Sequence, residues 1–90
     1  MKIKDGFVLE QVGGAYLAVA VGNRADSFNG MVRLNGTGAF FWNLMREKDL
    51  TTDEIVDEVL KVYEGVGREQ VTADVTAFAN KLRDAGILEG

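Results

Sequence analysis

The sequence predicts an α+β domain, a three-stranded antiparallel sheet followed by three helices. Three observations point to this order. Residues 7–12 and 15–21 are apolar-rich runs separated only by Gly13 and Gly14, the pattern of a tight hairpin. Residues 30–42 start as a strand over Met31–Leu34, turn at Asn35 and Gly36, and run on as a helix with the only tryptophan, Trp42. Residues 51–88 repeat apolar positions every three or four residues, with helix start and stop signals at their ends.

Length and composition bound the rest. Ninety residues, 47% of them hydrophobic, make a single domain spanning 1–90. A chain of this size buries roughly 60–65% of the surface it exposes when unfolded, which leaves little spare stability. The net charge of −4 argues against binding nucleic acid or an anionic membrane. The longest apolar run, Ala15–Val21, is too short to span a bilayer, and no apolar signal segment opens the chain. A cytoplasmic protein is expected.

In the return strand, Leu17, Val19 and Val21 share one face and Tyr16, Ala18 and Ala20 the other. Both faces are apolar and one is built of small residues, so one side is covered and the other lightly packed. A polar loop from Gly22 to Gly30 follows, with a turn signal at Asn29-Gly30. Met31–Leu34 is the third strand, with Val32 and Leu34 on one face and Met31 and Arg33 on the other. Short connections make the three strands a meander.

Asn35 or Thr37 caps the first helix, which runs to about Arg46 and is apolar around most of its girth. Phe40 is its aromatic residue least expected to be fully covered. Thr51 and Glu54 form a capping-box pattern for a second helix over 52–63, with Ile55, Val56, Val59, Leu60 and Tyr63 as its inner stripe. Gly65 and Gly67 end it. The third helix covers 68–85 with a stripe of Val71, Val75, Phe78 and Leu82. Gly86 then stops the helix, and Ile87 and Leu88 dock as an apolar tail.

Catalysis finds little support. There is no cysteine and no histidine, which removes the thiol nucleophile, the usual general base near neutral pH and the commonest metal ligand. The single serine, Ser27, has no base to activate it. Gly36-Thr37-Gly38 lacks the length and the Lys-Ser/Thr of a phosphate loop, so it reads as a strand-to-helix turn. Asp53, Glu54, Asp57 and Glu58 read as a cap and a solvated face rather than a metal site. The expectation is a protein that is not an enzyme, with no cofactor and no metal.

The helical half has the outline of a helix-turn-helix, with the strands as its wing. Its charge does not suit DNA. The third helix carries three cations, Arg68, Lys81 and Arg83, against three carboxylates, and the second carries Lys61 against four. What remains is the edge strand Met31–Leu34 beside the third helix. Such an edge either accepts an added peptide strand or is capped and idle.

Three blocks of the chain resemble the coenzyme PQQ synthesis protein D (PqqD) family, the small peptide-binding domains also called RiPP recognition elements. The stretch Gly30–Ala39 with Trp42, Leu44 and Met45 resembles the family's strand followed by "LNxTA…W". Thr51–Val56 resembles its "T..EI" helix start. Val71, Asp74, Val75, Phe78, Leu82, Gly86 and Leu88 resemble "V..DV..F…L…G.L". Together the blocks span about residues 29–88.

The resemblance implies a winged helix-turn-helix-like domain that binds the leader of a ribosomally made precursor peptide. The leader is expected as an added strand beside the third strand, in the cleft with the third helix. The domain would act as a non-catalytic peptide chaperone, presenting the leader to a maturase, often a radical SAM enzyme. The expected peptide contacts are Met31, Val32, Arg33 and Leu34 from the strand, and Val71, Asp74, Val75, Phe78, Lys81 and Leu82 from the helix. Lys81 or Arg33 would pair with acidic leader residues. The alternatives are an acidic winged-helix scaffold or regulator that binds another protein or DNA, and a homodimer formed through the same edge.

Overall fold

The computed structural model describes residues 1–22 and 31–89. The loop from Asn23 and the expected turn at Asn29-Gly30 lie outside the described residues. The elements in chain order are β1 (Lys2–Ile3), β2 (Phe7–Val12), β3 (Ala15–Ala20), β4 (Val32–Leu34), α1 (Gly36–Glu47), α2 (Thr52–Val62), α3 (Arg68–Asp84) and β5 (Leu88–Glu89). The expected α+β order is present: strands β2, β3 and β4 form a three-stranded antiparallel sheet in that spatial order, and three helices follow.

Two short strands add to the expected pattern. β1 and β5 pair antiparallel, with Ile3 opposite Leu88. The apolar tail is therefore a strand, and it ties the two ends of the chain together. Lys4 N–H donates to the Ile87 carbonyl at 2.8 Å beside this pair.

Local chemistry sets most element ends. Gly13, at φ +60°, lets β2 turn straight into β3, and Val12 pairs with Ala15 across the turn. Asn35 caps α1 by accepting from the Gly38 N–H at 2.7 Å. The Thr51 hydroxyl accepts from the Glu54 N–H at 3.2 Å, and the Glu54 carboxylate accepts from the Thr51 N–H at 3.0 Å, which completes the capping box. At the end of α3, Ile87 N–H reaches the Leu82 carbonyl at 2.9 Å and Gly86 N–H the Arg83 carbonyl at 3.0 Å. This double closure needs a left-handed residue, and Gly86 supplies it at φ +79°.

The sheet packs one face on the helices. Phe7, Ala18 and Leu34 are buried, and Leu9, Tyr16, Ala20 and Val32 lie against them. The small face of β3 is thus the covered one, because helices close over alanines where they could not close over bulkier side chains. Leu17 and Val19 stay half-buried on the outer face. The helical core is Phe41, Trp42 and Met45 from α1, Ile55, Val56 and Val59 from α2, and Val71, Val75, Phe78, Ala79 and Leu82 from α3. The Trp42 indole N–H is buried with no hydrogen-bond partner among the described residues.

One expected core residue is placed differently. Tyr63 was expected to continue the inner stripe of α2, but that helix ends at Val62 and Tyr63 takes extended backbone as its C-cap. The ring turns outward and meets Phe40 edge-on, with centroids 5.4 Å apart. Phe40 is accordingly half-buried rather than fully covered. The acidic cluster on α2 is also used structurally: Glu54 in the capping box, Asp57 with Arg68 and Glu58 with Lys61. Among the described residues no helix is long and apolar enough to cross a membrane.

Candidate functional site

β4 is an edge strand, and the ladder determines which of its backbone groups face outward. Val21 N–H donates to the Gly6 carbonyl at 2.8 Å, so residues 6 and 21 form a hydrogen-bonded pair. Antiparallel ladders alternate bonded and non-bonded pairs. Leu17, opposite Glu10, therefore spends its backbone groups on β2. Across β3 and β4, the bonded pairs are then Ala18 with Val32 and Tyr16 with Leu34, and Arg33, opposite Leu17, faces away. The N–H and carbonyl of Arg33 are the backbone groups that β4 offers to a new strand.

Beside this edge lies a cleft of about 360 Å³. Its floor and walls are Leu34 from β4, Asn35, Thr37, Gly38 and Phe41 from the start of α1, and Asp74, Ala77, Phe78 and Lys81 from α3. The four α3 residues fall at i, i+3, i+4 and i+7, one face of a helix. Phe78 belongs to this face and to the core stripe, so it forms the floor. Its ring meets Phe41 edge to face at 5.4 Å. Gly38 keeps the floor open: a Cβ there would lie 3.1 Å from the Phe78 ring and 3.3 Å from Leu34 Cβ.

The cleft carries opposite charges along the α3 face. Asp74 accepts from the Gln70 amide at 3.0 Å and remains exposed. Lys81, seven residues on, donates from its ammonium to the Arg33 carbonyl at 2.8 Å. This bond crosses the mouth of the cleft from helix to strand. Among the described residues no group of three or more metal-ligating side chains is gathered.

The expected contact residues divide by placement. Leu34, Asp74, Phe78 and Lys81 line the cleft. Arg33 supplies the outward backbone groups, with its side chain on the outer sheet face. Val32 is half-buried and its N–H is turned toward β3. Met31 precedes the strand, which begins at Val32, and is 60% exposed. Val71, Val75 and Leu82 are buried in the core and form no part of the cleft surface. Asn35, Thr37, Gly38, Phe41 and Ala77 line the cleft without having been singled out as contacts. For Ala77 the signal was available, since it lies on the helix face shared by Asp74 and Lys81.

Together these features define a small α+β domain with an apolar-floored, polar-rimmed cleft between a helix and a sheet edge that is unpaired among the described residues. The chain belongs to the family described as coenzyme PQQ synthesis protein D (PqqD), whose model matches residues 7–88. A solved structure described as TbiB1 in complex with the TbiA(beta) leader peptide is similar to it, with a TM-score of 0.77 and 27% sequence identity. The similarity covers 100% of this chain and 96% of that one. No curated protein matches the chain.

Proposed function

We propose that this chain binds the leader of a ribosomally made precursor peptide as an added strand on β4 and presents it to a modifying enzyme, a radical SAM protein or another maturase. The observation that carries this reading is the pairing of outward Arg33 backbone groups with a cleft alongside that has an apolar floor of Leu34, Phe41 and Phe78. Membership of the PqqD family and the similarity to a chain bound to a leader peptide support it. The chain is a binder without chemistry of its own and works as a single domain in the cytoplasm, where precursors are made. The lack of histidine and cysteine fits that role.

The geometry divides the work between edge and cleft. A three-residue strand turns one residue outward, so backbone bonding at β4 is limited to a few hydrogen bonds, each worth about 0.5–1.5 kcal/mol net. An apolar leader side chain set over Leu34, Phe41 and Phe78 would add about 1.5–3 kcal/mol. The cleft therefore adds about as much affinity as the edge, and the edge also fixes direction and register.

The test is titration of isotope-labelled protein with leader peptides of precursors encoded beside its gene. Binding should move the amide signals of Val32–Leu34 and of residues 74–81. Spectra unchanged at large peptide excess would remove this reading.

A further inference from the structure

The Lys81 ammonium occupies the acceptor that an added strand needs. Its 2.8 Å bond goes to the Arg33 carbonyl, which faces away from β3. Lys81 is exposed and makes no ion pair among the described residues. The ammonium is strongly hydrated and sits on a flexible stem, so it leaves a carbonyl readily. A lysine at an open edge also discourages unwanted pairing with other strands.

We propose that Lys81 is a displaceable cap that selects acidic peptides. Before binding, it holds the Arg33 carbonyl. The incoming strand takes that carbonyl with its own N–H, and the released ammonium pairs with a carboxylate of the peptide. A neutral peptide leaves the ammonium without a partner at a mouth the peptide itself has partly dried, so Lys81 works against it. Asp74 strengthens the choice of register. It sits two helical turns away on the same face, about 10 Å along the axis, and repels an acid placed at its end of the cleft. This inference rests on the strand-addition reading above.

The experiment selects binders from a displayed library of random peptides on the full chain, then resynthesises one binder with its acid changed from Glu to Gln. Both forms are titrated into the native protein and into Lys81→Met, which keeps the stem and removes the charge. The native protein's preference for the Glu form over the Gln form should shrink about 3- to 5-fold in Lys81→Met, the order an exposed ion pair supports. The Gln form should bind Lys81→Met about 2- to 3-fold more tightly than it binds the native protein, because the competing cap is gone. Equal weakening of both forms, or a Gln form indifferent to the substitution, overturns the cap. Binders with no shared acid overturn the selectivity. A library that yields no peptide moving the Val32–Leu34 amides removes strand addition itself, a separate outcome from failure of the cap.

Discussion

Phe41 and Phe78 meet edge to face, with ring centroids 5.4 Å apart and planes at 68°. The pair joins the first helix to the third and forms the back of the cleft. Such pairs contribute about 0.5–1.5 kcal/mol beyond the area they bury. A double-mutant cycle of Phe41→Leu and Phe78→Leu, read by urea unfolding, should return a coupling in that range. Coupling near zero would mean that the rings act only as bulk.

The alternation of the ladder predicts opposite outcomes for proline at adjacent positions. Arg33→Pro removes an N–H that faces outward, and edge strands tolerate such a proline. It should leave thermal unfolding nearly unchanged and weaken leader binding by up to about tenfold, the upper end for one lost hydrogen bond. An Arg33→Ala control separates loss of the guanidinium. Val32→Pro instead removes the donor to Ala18 and should destabilise the fold by about 2–3 kcal/mol. Equal loss of stability in both variants would contradict the assigned register.

Ala77 is exposed on the cleft face of α3, with a small side chain where a peptide anchor would lie. Ala77→Trp should fill the cleft and lower leader affinity at least about tenfold. Stability should change by no more than about 0.5 kcal/mol, as for other surface substitutions. Calorimetric titration and thermal unfolding measure the two effects separately. Undiminished binding would place the peptide elsewhere.

Gly86 stands at φ +79° with open space where a Cβ would go. Gly86→Ala therefore tests backbone strain without a steric clash. The cost should be about 1–2 kcal/mol, and a 1 kcal/mol loss lowers the melting temperature of a domain this size by roughly 4–8 °C. Because Gly86 aims β5 at β1, hydrogen exchange at Ile87 and Leu88 should quicken more than exchange in β3.

Features set by near neighbours were legible in the sequence. The Gly13 turn, a cap at Asn35 or Thr37 (Asn35 in the structure), the Thr51–Glu54 capping box and the Gly86 stop each depend on atoms a few residues apart. The apolar stripe of α3 was legible too, since burial imposes its period directly. The β1–β5 pair was not, because a two-residue strand has no period to detect and its partner lies at the other end of the chain. Tyr63 was misplaced because the stripe continues past the point where the backbone leaves the helix.

By itself the sequence determined the order of the three sheet strands and three helices and most of the apolar core stripes, and its three motif blocks pointed to the family. The order and the stripes rest on local propensity and on burial, which composition and spacing carry. Tertiary structure decided which groups are available for binding. It put Val71, Val75 and Leu82 in the core and left Asp74, Ala77 and Lys81 on the cleft, where no hydrophobic signal marks them. It also turned the Arg33 backbone outward and laid the Lys81 ammonium across it. Strand register and a contact across 48 residues are set by how the sheet and helix pack together, which no local pattern of side chains encodes.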